Sequence, residues 1–160
     1  MSGGMSATNS NDAVIFCSRY THGVDEKRRL QIPAKWRPSD TSTELMLIVW
    51  DGNGAAGSCL RVYPPQQMQA LMQKVAAMST SDQEAVALRR NIAKKSEWVS
   101  MDKAGRICIP DALAAEAGIT GGKTVALAGA LQWFEIWDED RYAKVNAGDN
   151  ALLTDAMRHL

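Results

Sequence analysis

Two arginines, each four residues after an aspartate and each followed by an Ile-Pro step, stand out as the residues best placed to do chemistry. They are Arg29 after Asp25, ahead of Ile32-Pro33, and Arg106 after Asp102, ahead of Ile109-Pro110. At this spacing an aspartate can accept backbone N–H bonds within a turn and hold its arginine in a local ion pair. A guanidinium held in this way keeps little rotamer freedom. It can donate to a phosphate or, as a planar fork, to the edge of a guanine. The chemistry is therefore recognition. No nucleophile, base and orienting group stand at usable spacing, so no enzyme, cofactor or small-molecule substrate is expected.

The two segments are copies of one another. With an offset of 77 positions, Val24-Asp-Glu-Lys-Arg-Arg-Leu-Gln-Ile-Pro33 lies on Met101-Asp-Lys-Ala-Gly-Arg-Ile-Cys-Ile-Pro110, and Asp, Arg, Leu/Ile, Ile and Pro agree. Downstream, Leu60-Arg-Val-Tyr63 answers Phe134-Glu-Ile-Trp137 once a shorter second loop is allowed for. The chain is thus read as a doubled unit of about forty residues. Alternation puts Leu30 and Ile32 on one side of a strand and Arg29 and Gln31 on the other, and Ile107 and Ile109 repeat the pattern. Each arginine is expected to face away from the core.

Lys plus Arg and Asp plus Glu both number 18, so the overall charge carries no sign of a polyanionic partner. The local charge does. Arg19, Lys27, Arg28, Arg29, Lys35 and Arg37 fall within one stretch, opposed only by Asp25 and Glu26. Phosphate contact requires such a cluster, because attraction is screened beyond about 8 to 10 Å at physiological salt. A composition of 46% hydrophobic and 22% charged residues is that of a globular protein. The longest apolar stretches, Leu45 to Trp50 and Thr124 to Leu131, are far shorter than the roughly 20 residues a membrane helix needs. No membrane partner is expected. The Gly-, Ser- and Asn-rich start lacks a basic region followed by an apolar one and is read as no secretion signal. Cys17, Cys59 and Cys108 are odd in number and widely spaced, which fits a reducing compartment, and the cytoplasm is the expected location.

The elements that must position the arginines follow from periodicity. Each motif strand ends at its proline. Asp111 to Gly118 then reads as a short helix closed by glycine, whereas Pro38 cuts its first-copy counterpart short. Strand pairs follow, Leu45 to Trp50 with Leu60 to Tyr63, and Lys123 to Ala128 with Trp133 to Trp137. Between the copies, Met68, Leu71, Met72, Val75 and Met78 repeat at helical spacing and read as packing residues. A second helix carries Ser81 and Glu84 in a capping box, Ala85, Leu88 and Ile92 on its apolar face, and Arg89, Arg90, Lys94 and Lys95 toward its C-terminal end. A third is expected from Glu139 to Val145. The domain reading is a disordered tail over 1–14, a first half over 16–66, a helical insert over 67–95, a second half over 97–140 and a C-terminal helical segment over 141–160.

Other candidate sites read as structure. Gly121-Gly-Lys-Thr124 resembles the end of a phosphate-binding loop, but Ala117 stands where that motif needs glycine and a strand follows. Gly52, Gly54 and Gly57 fit a hairpin loop. His22 and His159 have no ligand partners at metal spacing, so no metal is expected.

Asp25-Glu-Lys-Arg-Arg-Leu-Gln-Ile-Pro-Ala-Lys-Trp-Arg37 resembles the first DxKGRxxIPxxfR segment of the MraZ family. Met101 to Pro110 resembles its second segment, and Phe134-Glu-Ile-Trp137 its FEIW. The resemblance spans about Phe16 to Tyr142. It implies an α+β, mainly β fold: a pseudo-dimeric swapped-hairpin AbrB-type barrel built from two tandem SpoVT/AbrB-like halves, with intervening and C-terminal helices. It also implies ring-shaped homo-oligomers that bind double-stranded DNA at tandem promoter repeats of the division and cell-wall gene cluster, nucleoid-associated in the cytoplasm. Arg29, Arg106, Lys27, Arg28 and Lys103 are the DNA-contact candidates, with Asp25, Asp102 and Gly105 orienting the turns. Such half-domains also occur in antitoxins, whose partner is a protein toxin, and this is the alternative reading. One departure stands out: Arg28 occupies the place of the family's usual glycine. If the turn needs positive φ, Arg28 carries strain there, and it is expected to compensate by taking a phosphate contact.

Overall fold

The computed structural model describes residues 14–78 and 81–160, and most of the expected N-terminal tail lies outside them. Val14 already packs against the core. Among the described residues the eight strands are β1 (Arg19–Gly23), β2 (Arg29–Gln31), β3 (Leu45–Trp50), β4 (Cys59–Tyr63), β5 (Ser96–Val99), β6 (Arg106–Cys108), β7 (Thr124–Gly129) and β8 (Phe134–Asp138). The α-helices are α1 (Pro65–Ala77), α2 (Asp82–Lys94), α3 (Asp111–Glu116) and α4 (Glu139–Ala156). The fold is α+β, with the eight strands building its main core. Among the described residues no helix is long and apolar enough to cross a membrane.

The strand order explains how two incomplete halves make one body. Six strands form a sheet in the order β1-β7-β8-β4-β3-β5, and β2 pairs with β6 in a separate ladder. The first strand of each half lies on the other half: β1 pairs with β7, and β5 pairs with β3. Thus the halves exchange their leading hairpins about a pseudo-twofold between β4 and β8. The β2–β6 ladder obeys the same symmetry, with Leu30 opposite Ile107 at its centre, Arg29 opposite Cys108 and Gln31 opposite Arg106. Leu30, Ile32, Ile107 and Ile109 are fully buried and join Leu47, Leu60, Val62, Leu127, Phe134 and Ile136 in one core. A unit of so few short strands cannot cover its own apolar face. Exchange supplies the missing cover.

The prolines act where their chemistry places them. Pro33 and Pro110, with φ of −51° and −57°, each precede a helical turn, and their carbonyls accept from Trp36 and Ala114. The first turn is a short 3-10 stretch, Ala34–Trp36, and the second continues as α3. Gly118, at φ +70°, closes α3. Ser81 caps α2 by accepting the Glu84 N–H at 3.2 Å.

Two sequence expectations need correcting. The last helix runs on from Val145 to Ala156. Of the methionine stripe on α1, only Met68 is buried, while Met72 and Met78 are exposed. Helical spacing identifies a face, but it does not say how far the neighbouring sheet extends beneath it.

Candidate nucleic-acid interface

Each motif aspartate organises its turn from within. Asp25 Oδ1 accepts the backbone N–H groups of Lys27 at 2.9 Å and Arg29 at 2.8 Å, and its Oδ2 receives Arg29 Nε at 2.6 Å. Asp102 repeats the arrangement with Ala104, Arg106 and the Arg106 Nε, each at 2.9 Å. Both carboxyls are held below their ordinary 3.8, chiefly by the backbone N–H of the paired arginine and further by its guanidinium. The anion is thus the form the turn is built around.

Because Nε is the atom engaged in each pair, the outer NH1–NH2 edge of Arg29 and Arg106 takes no part in these bonds. That edge is the one a guanine O6/N7 pair or a phosphate requires. Both side chains are half-exposed, and both lie on the outer face of the β2–β6 ladder, since the alternate residues Leu30 and Ile107 point inward. Their positions are diagonal across the two strands, which sets the side-chain roots roughly 7 to 8 Å apart. A two-stranded ribbon of this kind fits a DNA major groove. Lys27 and Lys103 stand exposed on the two turns.

Three other arginines of the sequence cluster are engaged with other groups. Arg19, at the far end of β1, lies over the Tyr142 ring at 5.4 Å. Arg37 donates through Nε to the Ile32 carbonyl at 2.9 Å. Arg28 holds the left-handed turn position that Gly105 holds in the second copy: its φ is +63°, beside +80° for Gly105. For a residue bearing a Cβ this region costs roughly 1 to 2 kcal/mol. Its Nε is turned to the Ile109 carbonyl at 2.9 Å, with NH1 3.9 Å from Asp111.

Spacing alone missed several supports. Gln31 Nε2 donates to the Ala104 carbonyl at 2.6 Å, and its counterpart Cys108 donates through Sγ to the Lys27 carbonyl at 3.4 Å, so each turn is tethered to the other half. The 77-position offset pairs these residues and is the signal that could have found them. Gly121 and Gly122, just before β7, lie against the first turn. The Gly122 N–H bonds the Val24 carbonyl at 2.7 Å, and a Cβ on Gly121 would meet the backbone of Asp25 and Glu26. This is a backbone support and not a phosphate cradle.

Comparison with known proteins agrees with the motifs. A family model described as "MraZ protein, putative antitoxin-like" matches residues 15–91 and again 93–158. The transcriptional regulator MraZ of Thermomicrobium roseum is 33% identical over 129 residues, covering 81% of this chain and 85% of the relative. That of Corynebacterium glutamicum strain R is 34% identical over the same shares. The Syntrophobacter fumaroxidans protein of that name is 33% identical over 143 residues, 81% of this chain and 91% of its own. With two model matches that together span nearly all the described residues and relatives above 30% identity across most of their length, this chain belongs to the MraZ family.

Proposed function

We propose that the chain is a sequence-specific DNA-binding transcriptional regulator that acts in the cytoplasm, on the nucleoid, at the promoter of the division and cell-wall gene cluster. One observation carries the reading: two aspartate-held arginines share the outer face of a two-stranded ribbon, with their NH1–NH2 edges outside the ion pairs. Arg29 and Arg106 reach base edges or phosphates, and Lys27 and Lys103 neutralise phosphates beside them. Arg28 stands beside them, with its Nε on the Ile109 carbonyl and its NH1 3.9 Å from Asp111. Asp25, Asp102 and Gly105 set the turns. The names of the relatives support the regulatory role.

A single shallow ribbon makes few contacts and binds weakly. A ring of identical chains on tandem repeats gains affinity because each further contact is made at high effective concentration. Binding then rests on local cations and multivalency, consistent with a formal net charge of +0. The description of the family as antitoxin-like favours a second reading, an antitoxin whose partner is a protein toxin.

The test is gel-shift binding to the tandem repeats of the cluster promoter, with Arg29→Ala and Arg106→Ala compared with the parent at several salt concentrations. Each substitution should weaken binding by roughly 1 to 3 kcal/mol if the lost contact is a bidentate base pair. Folded variants that bind like the parent would refute the assignment of the arginines. A parent that ignores the repeats at moderate salt while forming a stable complex with a co-encoded protein would favour the second reading.

A further inference from the structure

We infer that Arg28 is a positioning residue for the first turn, its guanidinium taking the place that Arg37 holds against the second. This rests on the DNA-binding reading for its functional meaning, though not for its geometry. At the second turn, the Ile32 N–H donates to the Gly105 carbonyl at 2.9 Å, and the Ile32 carbonyl accepts Arg37 Nε at 2.9 Å. The Arg37 guanidinium lies where a Cβ on Gly105 would stand, so glycine there makes room for it. At the first turn, the Ile109 N–H donates to the Arg28 carbonyl at 2.9 Å, and the Ile109 carbonyl accepts Arg28 Nε at 2.9 Å.

Residues 28 and 105 are equivalent, as are 32 and 109. The counterpart of Arg37, however, is Ala114, buried on α3 and with no group to donate. Each half therefore has one guanidinium at the carbonyl that ends its motif strand. In one case it comes from downstream and crosses over a glycine; in the other it grows from the turn itself. The arginine at position 28, where the second copy has Gly105, and the lack of one at position 114 are two sides of one arrangement. Arg28 closes a two-bond ring with Ile109 and so fixes the turn whose next residue, Arg29, faces outward. Its Nε is committed to the Ile109 carbonyl, and its NH1 lies 3.9 Å from Asp111.

The test measures amide hydrogen exchange of the full-length protein without DNA, together with the salt dependence of promoter binding. A glycine relieves the positive φ, so global stability is not the readout. Arg28→Gly should speed exchange at Arg29 and Ile109 by about threefold or more and leave Ile32 and Arg106 unchanged. Arg37→Ala should do the reverse. Adding Gly105→Arg to Arg37→Ala rebuilds the first turn's arrangement at the second and should restore protection at Ile32. Arg28→Gly should weaken DNA binding severalfold while the slope of log affinity against log salt stays within about 0.3 of the parent, because losing a phosphate contact would lower it by about 0.9.

Unchanged exchange at Ile109 in Arg28→Gly overturns the inference. So does a slope lower by about 0.9, which would make Arg28 a phosphate ligand. Failure of Gly105→Arg to protect Ile32 would refute the equivalence of the two guanidinium positions. A parent that does not bind promoter DNA defeats the proposed function alone, since the exchange data still decide the bracing.

Discussion

Replacing Gly121 with alanine should push the first arginine-bearing turn away from the loop beneath it. The added Cβ would stand 2.9 Å from the Glu26 carbonyl oxygen and 3.0 Å from both the Asp25 carbonyl oxygen and Glu26 Cα. All three are backbone atoms and cannot swing aside as a side-chain end would. Restoring ordinary contact needs a shift of about half an ångström, and overpacking of this kind costs roughly 1 to 3 kcal/mol. For a chain of this size that is a loss of about 2 to 12 °C in Tm. The displaced segment contains Asp25, whose carboxylate holds Arg29, so Arg29 moves with it. Recognition geometry tolerates about 0.5 Å of error, and affinity for promoter DNA should fall roughly fivefold or more. The assay is thermal unfolding beside fluorescence-anisotropy titration of a labelled promoter fragment. Gly23→Ala is the control, because an added Cβ there meets nothing within 4 Å. If Gly121→Ala keeps both the Tm and the affinity of the parent, the loop does not support the turn and the reasoning fails.

The pH dependence of the turns has a definite sign. Asp25 and Asp102 have folded pKa values depressed below 3.8, so their contribution is complete above the unfolded value and is lost as pH falls through the lower, folded values. The amides of Arg29 and Arg106 should stay protected near neutrality and lose protection only in acid below that value; loss between about pH 5 and 7 would contradict the bonding described. The thiols should also divide. Cys17 and Cys108 are exposed, whereas Cys59 is buried and burial pushes its thiol far up. A disulfide reagent should label two thiols in the native protein and the third only on unfolding. Rapid labelling of all three would mean that the β3–β4 hairpin opens readily.

Much of the candidate site is legible in the amino-acid sequence because its bonds are short along the chain. An aspartate reaches the N–H groups two and four residues on, and the arginine four residues on, whatever the rest of the chain does. Strict alternation through Leu30, Ile32, Ile107 and Ile109 likewise sets which side of each strand is buried. The extent of α4 is not legible, since its last turns are exposed at Leu152 and Leu153 and carry no one-sided pattern. Met72 and Met78 mislead for a related reason: α1 presents more apolar surface than the sheet covers.

By itself, then, the amino-acid sequence determined the two Asp-Arg turns, their doubling and the burial of their strands, all consequences of interactions within a few residues. Only the tertiary structure decided what holds each of the other arginines. Arg19, Arg28 and Arg37 look equivalent to Arg29 in the sequence cluster, yet one lies over Tyr142 and two bond the carbonyls of Ile109 and Ile32. The Arg28–Ile109 bond spans 81 residues and exists only because the halves exchange hairpins. Charge can be counted along a chain, but its availability depends on which acceptors folding brings within reach.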